Sequence, residues 1–111
     1  MILRTHLLNN ALIADIQLKE ANLANAEQFK SELMSLINKG NKYVIVNFEQ
    51  VIYVDSSFLG ALVSALKLAM NSGGDIAVVG LNNDIRSLFQ LVRLDKVFRI
   101  YTNTQEALTG A

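Results

Sequence analysis

The chain contains no cysteine, no proline and no tryptophan, and it has a single histidine, His6. Without cysteine it forms no disulfide and offers no thiolate metal site or cysteine nucleophile, which is consistent with a reducing compartment. A lone histidine cannot complete a multi-histidine metal site. The lack of proline fits a compact domain without linkers.

Net charge is absent as well. The 10 Lys and Arg residues balance 10 Asp and Glu residues, so no overall basic field attracts nucleic acid or an anionic membrane surface. No apolar run approaches about 18 residues and no leader with a cleavage site is present, which predicts no signal peptide and no direct membrane insertion. We expect a cytoplasmic protein that does not bind nucleic acid.

The composition is that of a folded domain. Of the 111 residues, 51% are hydrophobic and 18% are charged, and the mean hydropathy is +0.29. Such a chain is not disordered, and its hydropathy indicates strands covered on both faces. We expect one domain over residues 1–111, because this length is sufficient for an ordinary core.

The stretch Tyr43–Gly74 predicts a strand, a polar corner and a helix in succession. Tyr43–Phe48 is an apolar run rich in β-branched residues, typical of a strand in a parallel sheet, and Val51–Val54 extends it. From Ser57 the apolar period becomes three and four residues, which predicts a helix that ends at Gly73-Gly74. Its predicted core residues are Leu59, Leu62, Val63, Leu66 and Met70. Its predicted outer face, made mostly of small residues, is Ser57, Gly60, Ala61, Ser64, Lys67, Leu68 and Asn71.

Two segments before this stretch predict a β-hairpin. Ile2–Leu8 and Ala11–Leu18 are rich in apolar residues and flank Asn9-Asn10, which tolerate the positive φ of a tight turn. The second segment alternates in polarity, which indicates that one of its faces is better covered than the other.

A helix follows the hairpin, capped by Asn22 or by Asn25, the latter in a capping box with Gln28. It ends at Lys39-Gly40. Its predicted core residues are Ala26, Phe29, Leu33, Leu36 and Ile37.

Beyond the central stretch, Asp75–Val79 and Val97–Tyr101 predict two further strands. Asn82 or Asn83 caps the helix between them, and Asn103 with Glu106 opens a short C-terminal helix. The inward residues of the first of these helices are Ile85, Leu88, Phe89 and Val92. Together the elements predict an α/β fold in which the hairpin joins a mixed β-sheet, with helices mainly on one face.

Catalytic signals are missing. The sequence has no GxGxxG, GxxxxGK[ST], HExxH or GxSxG motif, so we predict no catalytic residues, no metal and no cofactor. Glu49 and Asp55 are better explained as a loop glutamate and a helix-start aspartate than as an acid/base pair. Asp55 as a receiver-type phosphoacceptor would need Mg²⁺ held by carboxylates after the first strand, and Leu7–Ala11 contains none.

The corner Asp55-Ser56-Ser57 has two interpretations. Asp and Ser are preferred N-caps because their side-chain oxygens accept hydrogen bonds from unpaired N–H groups. A hydroxyl at a helix N-terminus can also carry a phosphate, because the free N–H groups and the positive end of the helix dipole tolerate the added charge.

The sequence Asp55-Ser56-Ser57-Phe58-Leu59-Gly60, together with the preceding strand and the following small-residue helix, resembles the D-S-[ST]-G-L-G signature of the STAS family. The segment from Leu91 to Leu108 also resembles the ending of that family, so the resemblance covers nearly the whole chain. It implies a STAS-like domain in which Ser56 is phosphorylated. Phe58 stands where the family usually has glycine.

The resemblance implies an anti-sigma factor antagonist, a non-catalytic, phosphorylation-controlled switch that sequesters an anti-sigma factor kinase and so frees a sigma factor. Its implied partners are that serine kinase, which uses ATP, and a metal-dependent serine phosphatase. The expected contact residues are Asp55, Ser57, Phe58, Gly60, Ala61, Ser64 and Leu68. As an alternative, Phe58 as a permanent aromatic contact would suit a constitutive STAS subunit of a stressosome-like or lipid-transport complex.

Overall fold

The computed structural model describes residues 1–110, which form strands, α-helices and one 3-10 turn. The strands are β1 (Leu3–Leu8), β2 (Ala11–Ile16), β3 (Glu20–Ala21), β4 (Tyr43–Asn47), β5 (Tyr53–Val54), β6 (Asp75–Val79) and β7 (Arg99–Tyr101). The helices are α1 (Leu23–Asn38), α2 (Ser56–Asn71), α3 (Asn83–Leu91) and α4 (Thr104–Gly110), and the 3-10 turn is Leu94–Lys96.

The main sheet is mixed, as the sequence predicts. Its strand order is β1-β2-β4-β6-β7, with β1 antiparallel to β2 and the other neighbours parallel. The β1–β2 hairpin turns at Asn9 and Asn10, whose φ angles are +50° and +68°. Both asparagines therefore adopt the left-handed conformation that the sequence predicts for this turn.

Helices α1, α2 and α3 contribute to the larger apolar cluster on one face of the sheet. On the other face, Ala107 of α4 belongs to a smaller cluster with Ile13 and Ile45. The Tyr43 hydroxyl donates a hydrogen bond of 2.9 Å to the Ala107 carbonyl oxygen and so holds α4 against the sheet. Helices therefore lie mainly on one face of the sheet, as predicted. Strand β2 is buried on both of its faces, whereas the sequence predicts that one of its faces is better covered than the other.

Val51–Val54 does not extend β4, contrary to the prediction. The chain turns after β4, where Val51 N donates to Phe48 O at 2.9 Å, and Ile52 N then donates to Lys19 O at 2.7 Å. Residues 53 and 54 therefore form β5, which pairs with β3 in a separate small parallel sheet. A local turn and a new hydrogen-bonding partner explain the difference.

Two predicted core residues are exposed. Met70 is 60% exposed because α2 packs against both the sheet and α1, so its buried face is centred on alanine and leucine positions. Val92 is 48% exposed because α3 ends at Leu91 and Val92 is its C-cap. The last strand begins at Arg99, later than predicted, because the 3-10 turn takes up the residues before it.

The helix starts resolve the alternatives that the sequence leaves open. Asn22 caps α1, and its capping box is completed by Asn25 rather than involving Gln28. Asn82 caps α3 by accepting a hydrogen bond of 2.8 Å from Ile85 N. No helix within residues 1–110 is both long and apolar enough to cross a membrane.

Glu32 attaches β1 to α1. Its carboxylate accepts hydrogen bonds of 3.0 Å from Ile2 N and 2.9 Å from Leu3 N, and a third of 2.8 Å from Gln28 Nε2. Burial by itself would raise the pKa of Glu32, but these hydrogen bonds outweigh it and hold the pKa below its usual value.

The topology gives the molecule two distinct ends. All four α-helices begin at the end where the parallel strands β2, β4, β6 and β7 finish, which we call the carboxyl end. The helices then run back toward the opposite end, which we call the amino end. Ser56, the first residue of α2, lies at the carboxyl end, where ligand and partner sites of parallel sheets generally lie.

Gly74 is a tightly packed position between α2 and β6. A Cβ atom at Gly74 would collide with the backbone carbonyl of Lys42, whereas a Cβ at Gly60 in α2 would meet no atom within 4 Å. We predict that Gly74→Ala lowers the free energy of unfolding by about 1–3 kcal/mol, because the backbone must shift.

The matched control is Gly60→Ala, which should raise stability by about 0.5–1 kcal/mol because alanine is the better helix former. Urea denaturation of both variants measures the difference. Equal stability of the two variants would contradict the packing described at Gly74.

Candidate partner-binding site

Asp55 joins the N-termini of two helices. Its Oδ1 accepts a hydrogen bond of 3.0 Å from Phe58 N and so caps α2, while its Oδ2 accepts one of 2.9 Å from Leu23 N at the start of α1. Its own N–H donates to Ala21 O at 3.1 Å. Both carboxylate oxygens therefore accept hydrogen bonds within the protein. This arrangement favours a role for Asp55 in positioning the site over the predicted role as a partner contact.

Ser56 is exposed at the first position of α2, and Ser57 is half-buried at the second. Because Asp55 provides the cap, neither serine is needed for that purpose. The N–H groups of the first helical turn have no carbonyl partner within the helix and lie at the positive end of its dipole. The Ser56 hydroxyl thus stands in solvent at a position that tolerates a phosphate.

A groove of about 320 Å³ runs between α1 and α2 beside the serines. From α2 it is lined by Ser57, Gly60, Ala61 and Ser64, four residues that the sequence assigns to partner contact. From α1 it is lined by Leu23, Ala26, Glu27 and Lys30. The structure thus brings part of the predicted set together and adds a second wall from α1.

The wall formed by α1 contributes both polar and apolar side chains to the rim of the groove. Leu23 is 73% exposed, and Glu27 and Lys30 form an ion pair of 3.9 Å. Nothing in the local sequence marks these three residues, because their spacing is that of an ordinary solvated helix face. They belong to the site only because α1 packs along α2, which is a tertiary contact.

Small residues on α2 leave the space of the groove unfilled. Gly60 has open space where a side chain would stand, and Ala61 is buried. The Ser64 hydroxyl donates a hydrogen bond of 3.1 Å to Gly60 O within the helix. Leu68 is half-buried against the core and does not line the groove.

Phe58 is not a surface residue, so its predicted role as a partner contact is wrong. Its side chain is 0% exposed, and its ring stacks on Phe29 of α1 with centroids 4.1 Å apart and an interplanar angle of 19°. The third position of a helix that starts at Ser56 points inward here because α1 covers it. Phe58 therefore holds the two walls of the groove together.

Metal-binding side chains are not grouped in the part of the chain that the structure describes. Within residues 1–110 no group of three or more His, Cys, Asp or Glu side chains is placed to hold a metal ion. Glu49 is exposed in the loop after β4, while Asp55 is occupied by two backbone N–H groups. The site offers a shaped surface with one exposed hydroxyl at its edge.

Residues 16–107 match the family model of the STAS domain. The chain belongs to the STAS domain family. The match covers the corner, the groove and the parallel strands from β3 to β7, so the family assignment applies to the fold and to the candidate site alike.

Two curated STAS relatives resemble the chain in sequence. A protein of Thermotoga maritima, provisionally named an anti-sigma factor antagonist, is 34% identical over 91 residues, which are 81% of this chain and 80% of that protein. The anti-sigma F factor antagonist of Paenibacillus polymyxa is 31% identical over 68 residues, which are 61% of this chain and 58% of that protein.

A solved structure shares the STAS fold at high similarity. The crystal structure of a Thermotoga maritima protein, also provisionally named an anti-sigma factor antagonist, superposes with a TM-score of 0.88 at 27% identity. The superposition covers 97% of this chain and 92% of that one. The hairpin, the mixed sheet and the position of the helices are therefore features of the family fold.

Asp55 is predicted to stabilise the corner through its two hydrogen bonds. Replacement by alanine removes both, so Asp55→Ala should lower the free energy of unfolding by about 1–3 kcal/mol. The stability of Asp55→Asn should lie between those of the unmodified protein and Asp55→Ala, because the amide oxygen can still accept one hydrogen bond. Urea denaturation is the measurement, and Ser56→Ala, an exposed change expected within about 0.5 kcal/mol, is the control. An Asp55→Ala variant as stable as Ser56→Ala would rule out this role.

Phe58 is predicted to be a core residue. Phe58→Ala should lower the free energy of unfolding by about 3–5 kcal/mol, because it removes a fully buried ring and leaves a cavity against Phe29. Thermal and urea denaturation measure the loss. A change within about 0.5 kcal/mol is typical of an exposed residue and would contradict the burial of Phe58.

Proposed function

We propose that this protein is an anti-sigma factor antagonist, a non-catalytic switch that binds an anti-sigma factor kinase and thereby frees a sigma factor. The observation that carries the proposal is the exposed Ser56 hydroxyl at the N-terminus of α2, adjoining a groove lined by small residues. The names of its STAS relatives support the same partner class.

The groove suits a protein partner more than a small molecule. It is open along α1 and α2, and the free space at Gly60 allows another backbone or side chain to approach closely. Leu23, exposed at its rim, offers apolar area that a partner can cover. We propose that the anti-sigma factor contacts Ser57, Gly60, Ala61 and Ser64, with Leu23, Glu27 and Lys30 on the other wall.

Phosphorylation of Ser56 would reverse binding through local charge. A phosphate adds about −1.5 to −2 charges at pH 7. The helix N-terminus tolerates this charge in the free protein, so the fold survives the modification. In the complex the same charge must lose water against a surface of small neutral groups. A mismatched charge of this kind costs several kcal/mol in order of magnitude, which lowers affinity at least about a hundredfold.

The proposal includes a cycle of two further proteins. The anti-sigma factor kinase phosphorylates Ser56 with ATP, and a metal-dependent serine phosphatase restores the hydroxyl. ATP and metal belong to these partners, so the protein itself needs no cofactor. Sigma factors act on RNA polymerase in the bacterial cytoplasm, which is where we propose that residues 1–111 act as one domain.

A constitutive subunit of a stressosome-like or lipid-transport complex is the less favoured function. The feature that suggests it from the sequence is Phe58 as a permanent aromatic contact. Because Phe58 is buried against Phe29, it is not accessible to a partner.

Substitution of Ser56 tests the switch. Ser56→Asp should weaken binding to the cognate anti-sigma factor kinase at least about tenfold, less than phosphate would because aspartate carries less charge. Ser56→Ala should bind normally and resist phosphorylation. Isothermal titration against the anti-sigma factor kinases of the source organism measures affinity, and phosphopeptide mass spectrometry measures modification.

The control is Ser87→Asp, the same change at an exposed serine of α3 outside the groove, which should leave affinity unchanged. Tight binding by Ser56→Asp would refute the switch. So would phosphate incorporation by Ser56→Ala at the rate of the unmodified protein.

A further inference from the structure

Strand β1 forms one edge of the main sheet and is the longer of its two edge strands. It spans six residues and pairs with β2 alone, whereas β7 at the opposite edge spans three. A sheet edge presents a row of backbone N–H and C=O groups with which another strand can pair. Every residue of β1 from Arg4 to Leu8 is exposed, so this edge is accessible over most of its length.

The hydrogen bonds of the hairpin show which backbone groups of β1 point away from β2. Gln17 N donates to Ile2 O at 2.8 Å, which continues the β1–β2 register by one residue. Because hydrogen-bonded and non-hydrogen-bonded pairs alternate along an antiparallel ladder, the even-numbered residues of β1 bond to β2. The odd-numbered residues Leu3, Thr5 and Leu7 therefore direct their N–H and C=O groups outward.

One of these outward donors is already satisfied within the chain. Leu3 N donates to Glu32 Oε1 at 2.9 Å, and this carboxylate reaches the strand from α1. Among residues 1–110, no acceptor takes the N–H of Thr5 or of Leu7. Glu32 thus closes the edge at Leu3 and leaves it open from Thr5 onward.

The open part of β1 lacks the features that usually protect an edge strand, such as proline, lysine or a β-bulge. The chain contains no proline, and β1 contains no lysine. Its six consecutive pairs with β2 include no bulge, and its arginine, Arg4, stands opposite Asp15 of β2. The edge is therefore regular and can accept another strand.

Water also satisfies exposed backbone groups, so an open edge does not by itself identify a partner. A second copy of β1 is identified by the match between the two edges. If Thr5 of one copy stands opposite Leu7 of another in an antiparallel pair, each of these residues donates to the other and accepts from it. Both open donors of each copy then have acceptors.

Other antiparallel registers fit less well. Placing Thr5 opposite Thr5 brings Leu7 to Leu3, whose N–H is held by Glu32. Placing Leu7 opposite Leu7 brings Thr5 to Asn9, which lies in the turn with a φ of +50° and is not part of the strand. The register that pairs Thr5 with Leu7 avoids both conflicts.

A groove beside the edge provides space for the exposed leucine of a second copy. Its volume is about 320 Å³, and it is lined by Leu3 and Thr5 of β1 and by Glu32, Ser35, Leu36 and Lys39 of α1. Leu7 is 71% exposed and lies on the same face of the sheet as Thr5. In the paired edges, Leu7 of the second copy stands beside Thr5 and is directed to the side on which the groove lies.

We propose that two copies of this chain associate through β1 about a two-fold axis, so that their main sheets join edge to edge. Thr5 of each copy stands opposite Leu7 of the other, and the two His6 residues face each other across the axis. This contact is isologous, so association ends at two copies. The inference does not rest on the proposed function.

The absence of cysteine from the chain makes the register testable by disulfide trapping. Residues in a non-hydrogen-bonded antiparallel pair have Cα atoms about 4.5 Å apart, which is within the range of about 4.4–6.8 Å that a disulfide spans. His6 forms such a pair with His6 of the second copy. The variant His6→Cys should therefore form a covalent dimer under mild oxidation, measured by non-reducing gel electrophoresis.

Arg4→Cys is the matched control on the same strand and the same face of the sheet. It should not form a dimer by itself, because Arg4 stands opposite Leu8 of the second copy. An equimolar mixture of Arg4→Cys and Leu8→Cys should form the mixed disulfide, which mass spectrometry identifies. Dimer yields that are equal for His6→Cys and Arg4→Cys, or a mixture that forms no mixed disulfide, would overturn the register.

Sedimentation velocity of the intact protein over a concentration series tests the association itself. The weight-average mass should rise from that of the 12.3 kDa chain toward twice this value and no further. A mass that stays at one chain into the millimolar range, or one that grows beyond two chains, would overturn the proposal.

Proline substitution tests whether the backbone edge carries the contact. Thr5→Pro removes an N–H that β2 does not use, so the fold should survive, which circular dichroism can verify. Association should weaken at least about tenfold, because both copies lose this hydrogen bond. Thr5→Val keeps the N–H and should associate like the unmodified chain. Equal association of the two variants would exclude pairing through β1.

Discussion

The geometry of the candidate site depends on the two hydrogen bonds that Asp55 accepts. One comes from the first turn of α2 and the other from the first residue of α1, so a single carboxylate joins the starts of both helices. Since unpaired N–H groups at helix ends need partners, one residue satisfies this requirement for two helices at once. Ser56 is left free at the surface as a consequence.

The rest of the groove follows from the packing of α1 on α2. The stacked rings of Phe29 and Phe58 fill the buried space between the two helices, while Gly60 and Ala61 have side chains too small to fill the groove. A larger side chain at either small position would fill the groove, and a smaller one at Phe58 would loosen its walls. The residue that departs from the family signature is therefore part of the support of the site.

The same topology that positions the groove also separates the charges. Because the helices follow parallel strands, their N-termini gather at one end, and six of the ten carboxylates lie at or beside that end. Six of the ten cationic side chains lie toward the opposite end, where the helices finish. A neutral chain thus becomes a molecule with two unlike ends, one of which contains the serine and its groove.

The sequence by itself determined the order and kind of most elements, because burial periodicity and capping residues act over short distances. The asparagine hairpin turn, the strand Asp75–Val79 and the helix after Asp55 are local features of this kind. The tertiary structure alone decided the turn of Val51–Val54 toward β3, the burial of Phe58, and the contribution of Leu23, Glu27 and Lys30 to the groove. It also decided that opposite charges gather at opposite ends. Each of these depends on which segments, distant in the chain, pack side by side, and the local period of a sequence does not encode that choice.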